Sequence, residues 1–303
     1  MATLLDFRRR IRSVKNTQQI TRAMKFVAAA RLRRAQEAAL AARPYAVELA
    51  RVLRSTMARI ESPEHPLLAV RPENNILAIV LTGERGLAGA FNSNVLRKAH
   101  EFFRARQGKK ITTIPVGKKG RDSLRRAGFT FAAEYVNVLA RVDFKTAREI
   151  ANLVADLYIK EEIDSVYIIF SEFKSVMTPT LAVEKVLPVE SIRDEESHAA
   201  AQSDASGAKK PGEFKETPID YIYEQPEEQI LAKLLPRYVE TQILRAMLES
   251  SAAEHAARMT AMEAATNNAN DVIEALTLHM NKVRQAAITK EIIEIVSGAS
   301  YGA

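Results

Sequence analysis

The stretch MEAATNNANDVIEALTLHMNKV, residues 262–283, decides the fold. Its apolar positions Met262, Ala265, Ala269, Val272, Leu276, Met280 (or His279) and Val283 recur at alternating steps of three and four, the seam of a coiled coil. Ile288, Ile292, Ile295 and Val296 then broaden the apolar face. The stretch sits inside a longer one, 237–297, that holds neither Gly nor Pro. Pro costs a helix interior about 3 kcal/mol and Gly about 1 kcal/mol, so their absence over such a length predicts one long helix. Straight, it would reach roughly 90 Å at about 1.5 Å per residue. A helix of that length needs a partner.

The partner is at the other end of the chain. Residues 1–43 are also free of Gly and Pro. Leu4, Phe7, Ile11 and Val14 start a seam there, and after a polar interruption at Asn16–Gln19 it continues with Ile20, Met24 and Val27. Ala28–Ala30, Ala38, Ala39, Ala41 and Ala42 are small enough for two backbones to approach closely. The two ends are therefore expected to pair antiparallel. Pro44 should loosen or kink the first helix, although Tyr45–Met57 still reads as helical.

Between these ends the period changes. Ile76–Leu81 (ILAIVL), Ile111–Val116 (ITTIPV) and Ser165–Phe170 (SVYIIF) are short β-branched runs of the kind that form buried strands. Helical stretches Asn92–Arg106, Lys119–Ala127 and Asp143–Glu161 alternate with them, and Ala182–Leu187 reads as an edge strand closed by Pro188. Strand–helix alternation implies a mainly parallel, Rossmann-like α/β domain inserted into the coiled coil. The expected division is an N-terminal coiled-coil helix at 1–60, the α/β domain at 74–192, a flexible polar loop at 193–217 and a C-terminal coiled-coil helix at 218–303.

Composition excludes much chemistry. The chain has no cysteine, which removes disulfides, thiolate nucleophiles and Cys-ligated zinc. His65, His100, His198, His255 and His279 are scattered without metal-ligand spacing. No uncharged apolar run approaches the about 18 residues that a membrane span requires. The net charge of +7 is uneven: residues 1–43 hold eleven Lys and Arg against Asp6 and Glu37, leaving −2 for the remainder. An Arg-rich, acid-poor start also suits a transit peptide, but here the same residues carry the seam. The basic face could track a phosphate backbone, yet no aromatic residues interleave it for base stacking.

The segment Gly83–Asn92 (GERGLAGAFN) follows a strand and opens a helix, the place of a phosphate loop. Its glycines stand at 83, 86 and 89, off the dinucleotide spacing, and no GxxxxGK[ST] occurs anywhere. A tight turn needing small residues is the favoured reading. Gly117–Arg121 (GKKGR) reads either as a solvated basic turn or as a phosphate contact. No pair of acids and no Ser–His–Asp order suggests acid–base or nucleophilic catalysis. The residues by themselves thus point to an elongated coiled-coil protein with an inserted α/β domain, serving mechanics or scaffolding.

Two end segments carry this further. Ile11–Gln36 (IRSVKNTQQITRAMKFVAAARLRRAQ) resembles the N-terminal signature of F-type ATP synthase γ subunits. Met259–Ala299 is similar to the C-terminal signature of the same family, and LTGERGLAGAFN (81–92), GKKG (117–120), FKSVMTPT (173–180) and DYIYE (220–224) resemble its landmarks in order. Glu84 and Ala88 depart from the Asp and Cys common in the family, and the cysteine-bearing insert of chloroplast relatives is missing. The resemblance implies a rotor shaft without a catalytic site or cofactor. It would stand in a catalytic head of α and β subunits, bind an ε subunit and a membrane c-ring, and lie peripherally on the cytoplasmic face of the bacterial inner membrane. By the same resemblance Arg22, Met24 and Lys25 should face acidic loops of the catalytic subunits. Arg284, Gln285 and Thr289 on the opposite helix should act in the same zone, Ile292, Ile295 and Val296 at an upper apolar bearing, and Tyr221, Tyr223 and Glu224 at the foot against the ring.

Overall fold

A computed structural model describes residues 4–59, 65–173, 175, 179–189 and 226–301. The expected loop at 193–217 and the segment 218–225 lie outside the described residues. Helix α1 covers Leu4–Arg59 and helix α5 covers Glu227–Tyr301. Both run through a proline, Pro44 in α1 and Pro236 in α5. The helix continues past Pro44, as the helical reading of Tyr45–Met57 anticipates, and the buried side chains Leu49, Ala50 and Leu53 just beyond it hold the next turns in place.

Between the two helices the chain forms β1 (Asn75–Leu81), α2 (Phe91–Arg104), β2 (Lys110–Val116), α3 (Lys118–Arg126), β3 (Thr130–Phe131), α4 (Phe144–Ile159), β4 (Ser165–Phe173) and β5 (Pro179–Leu187). The sheet order is β3-β2-β1-β4-β5. β1 pairs parallel with β2 and β4, β2 pairs parallel with β3, and β5 closes the edge antiparallel to β4. The mainly parallel α/β reading therefore holds, with β3 too short to have shown as a run of apolar residues.

The chain divides into two compact units, one of residues 1–30 with 258–303 and one of residues 31–257. In the second unit β1 is buried on both faces, and its alternation sorts two cores. Ile76, Ala78 and Val80 join Val95, Ala99, Phe102, Phe103 and Leu124 of α2 and α3. Leu77, Ile79 and Leu81 join Ile150 and Val154 of α4, Leu49 and Leu53 of α1, and Leu235, Val239, Ile243 and Met247 of α5. Residues 31–59 and 227–257 are thus helical walls of the α/β body, whereas composition alone assigned them to the coiled coil. Leu231, Leu235, Val239, Ile243 and Met247 form a stripe wide enough to cover a sheet face.

Candidate functional site

The first unit is a pair of helical segments whose contacts fix direction and register. Phe7 lies against His279 with ring centroids 5.0 Å apart. Gln18 donates through its amide to the Asn270 side chain, the Thr21 and Thr266 hydroxyls meet at 2.8 Å, and the Lys25 ammonium donates to Glu263 at 2.6 Å. Residue numbers rise on α1 as they fall on α5, so the segments are antiparallel, as the apolar periodicity predicts.

The seam itself departs from the sequence reading. On α1 the inward positions are Leu4, Phe7, Ile11, Val14, Gln18, Thr21, Lys25 and Ala28, an unbroken alternation of three and four. There is no interruption at 16–19; the seam passes through polar side chains. Ile20 (60% exposed) and Val27 (52%), expected inside, point out, and so does Phe26 (62%). On α5 the inward positions include Met262, Thr266, Ala269, Ile273, Leu276, Met280 and Val283, and Val272 is 45% exposed. Ile273 takes the position expected for Val272, and Thr266 joins the expected Ala265, both half-buried. Apolarity alone misplaced the phase because polar seam groups find partners. Gln18 bonds the exposed Asn270 side chain, and the Thr21 and Thr266 hydroxyls meet each other and also reach the Gln18 and Met262 carbonyls of their own helices.

Register also corrects the proposed grouping of contact residues. Lys25 stands level with Glu263, and Phe7 with His279. Arg284 lies 21 residues beyond Glu263 on α5, roughly 30 Å along the axis at about 1.5 Å per residue. Arg22, Met24 and Lys25 therefore do not share a zone with Arg284, Gln285 and Thr289. They form two separate levels.

At the lower level Arg22 is exposed, Met24 is half-buried, and the Lys25 side chain remains 33% exposed while paired with Glu263. At the upper level Arg284, Gln285 and Thr289 are exposed, and the Thr289 hydroxyl donates back to the Gln285 carbonyl at 2.9 Å. Beyond them α5 has outrun the start of α1. Ile288, Ile292, Ile293, Ile295 (71% exposed) and Val296 form an apolar tip with no covering element among the described residues of this unit. Tyr221, Tyr223 and Glu224 lie outside the described residues. Ile20, Phe26 and Val27 were missed as outward residues, and the signal that finds them is the seam threaded through Gln18 and Thr21.

In the α/β body the glycine turn has its polar groups occupied from within. The Gly83 N–H donates to the Asn92 side chain at 2.8 Å, and the Asn92 amide donates to the Arg85 carbonyl. Glu84 accepts from the backbone N–H groups of Lys118 at 3.0 Å and Val138 at 3.2 Å. A carboxylate thus holds the donors that a phosphate would need, which favours the tight-turn reading. Gly117 has φ of 105°, and a Cβ there would fall 1.9 Å from the Thr82 carbonyl oxygen. The GKKG turn is therefore built for close packing of β1 against α3. Among the described residues no group of three or more His, Asp or Glu could hold a metal, and no helix is long and apolar enough to cross a membrane.

Comparison with known proteins agrees along the whole chain. A family model described as ATP synthase matches residues 3–300. The ATP synthase gamma chain of Solibacter usitatus is 47% identical over 99% of both chains, and that of Desulforamulus reducens is 46% identical over 99% of both. Among solved structures, the OSCP/F1/c-ring of Euglena gracilis mitochondrial ATP synthase contains a chain of TM-score 0.65 and 20% identity, covering 98% of this chain and 93% of its own. A chain of the Tetrahymena thermophila mitochondrial ATP synthase central stalk and c-ring has TM-score 0.58 at 24% identity, over 81% of this chain and 99% of its own.

Proposed function

This chain belongs to the ATP synthase gamma-chain family, and from that premise we propose that it is the central rotor stalk of an F-type ATP synthase. It is a non-catalytic, peripheral subunit. It couples rotation of an ion-driven membrane ring to conformational change in a head of α and β subunits, with an ε subunit beside it, on the cytoplasmic face of a bacterial inner membrane. Residues 1–30 and 258–303 supply the shaft, and the α/β body within 31–257 is the inserted domain. Arg22, Met24 and Lys25 meet the acidic loops of the head at one level, and Arg284, Gln285 and Thr289 at another. Ile292, Ile295 and Val296 run in the upper bearing, and Tyr221, Tyr223 and Glu224 meet the ring.

The observation that carries this reading is the apolar tip of α5, exposed beyond the end of its helical partner. Large apolar side chains grouped in water mark a surface that another molecule covers. The charged side chains below the tip are exposed, so each contact with a catalytic subunit is worth about 0–1 kcal/mol and can be made and lost at every step.

The chain has no native cysteine, which makes a cross-linking test clean. Arg22→Cys, combined with a cysteine on the acidic loop of a catalytic subunit, should form a disulfide if the two Cα atoms approach within about 7 Å. That bond should abolish multi-site ATP turnover in the assembled enzyme, and reduction should restore it. Turnover that continues with the bond formed in high yield would show that the shaft need not rotate past the loop.

A further inference from the structure

The α/β body contains a cavity of about 870 Å³ between α1, α5, the start of α4 and the end of β4, walled by Leu40, Val47, Phe144, Phe173, Leu244 and Leu248. Its polar side is a chain of ionic groups. The Arg245 guanidinium hydrogen-bonds Glu184 of β5 and reaches the Oε1 atom of Glu249, one turn along α5, at 3.7 Å. The other carboxylate oxygen of Glu249, Oε2, is buried and has no hydrogen-bond partner among the described residues.

A buried carboxylate oxygen with no donor is a costly place for a negative charge. The described charged groups around it bear on that cost. Arg245 on α5 and Arg43 on α1 favour the charge, while Glu172 on β4 and Glu184 on β5 oppose it. Arg54 of α1 also lines the cavity. Arg245 is already committed to Glu184, so its help to Glu249 is divided. Oε2 is buried, and a proton would satisfy it where no donor among the described residues does.

We propose that Glu249 is a proton-binding site in the body of this subunit, neutral when α5 is packed tightly against the sheet edge and charged when the packing loosens. Protonated, Glu249 leaves Arg245 wholly to Glu184 and the wall stays closed. Ionised, it competes with Glu184 for Arg245 and draws water towards the cavity. Burial, partly offset by Arg245, pushes the Glu249 carboxyl up from an ordinary 4.5 to about 7. The folded state then holds a proton that the unfolded chain has lost. The associated stability is complete below the unfolded value of 4.5 and is lost as pH rises through about 7.

The test compares the full chain with E249Q and R245Q. Infrared difference spectra between about pH 5 and about pH 9 should show a protonated carboxylic acid disappearing near neutrality in the wild type and absent from E249Q. E249Q should melt above the wild type at about pH 8.5, and the gap should close by about pH 5. R245Q removes the nearest cation and should move the carboxylic acid titration to higher pH, a reading that does not depend on E249Q folding. A melting gap that does not change with pH, a near-neutral acid band that persists in E249Q, or a midpoint unmoved in R245Q would each overturn the assignment.

Discussion

The α/β body and the helix pair bury their side chains very differently. In β1 every side chain from Ile76 to Leu81 is fully withdrawn from water, with apolar partners on both faces. Between the helical segments of the other unit the seam includes Gln18, Thr21, Lys25 and Thr266, while Ile20, Phe26 and Val27 face outwards. One unit spends its apolar residues on its own stability. The other uses matched polar pairs to fix register and leaves apolar side chains outside. A shaft that must touch other subunits at every angle benefits from the second arrangement, since polar seam residues specify alignment at some cost in stability.

Substitutions can break this contrast or sharpen it. The largest effect belongs in the sheet. Ile79→Ala should destabilise the body by about 2–5 kcal/mol, because it removes buried volume where the surroundings cannot collapse. Urea unfolding of the full chain measures this, and a loss no larger than that of a seam substitution would erase the distinction between the units.

In the seam the expected effect is smaller and reversible by a second change. Thr21→Val leaves the Thr266 hydroxyl facing a methyl group and should cost about 1 kcal/mol. Adding Thr266→Val should recover most of that stability, since two apolar groups of similar shape then face each other. A double-mutant cycle read by helix melting decides it, and additive losses would mean that the two hydroxyls do not form a unit.

Lys25→Ala should cost the helix pair about 0–1 kcal/mol, because the pair with Glu263 is partly exposed. If that side chain serves the catalytic head, coupling in the assembled enzyme should fall far more than helicity does. Equal losses in both would make Lys25 an internal strut.

The smallest effect on folding is expected at the tip. Ile292→Ser with Ile295→Ser should change the stability of the isolated chain by within about 0.5 kcal/mol per site. Assembly with the head should nevertheless weaken, which gel filtration of the reconstituted complex would reveal.

The sequence by itself determined the two long helices, the three central strands and the edge strand, because Gly and Pro placement and β-branched runs are local signals. It also determined the family, through end segments that read as continuous motifs. Tertiary structure decided what depends on pairing. The seam passes through Gln18 and Thr21 because Asn270 and Thr266 stand opposite them, a fact invisible to a count of apolar residues along one helix. Register then separated Lys25 from Arg284, which the sequence reading placed in one zone. Glu249 became notable only when folding enclosed one carboxylate oxygen and committed Arg245 to Glu184. Periodicity reports which face of a helix is apolar, but the free energy of a polar or charged group depends on what the fold sets against it.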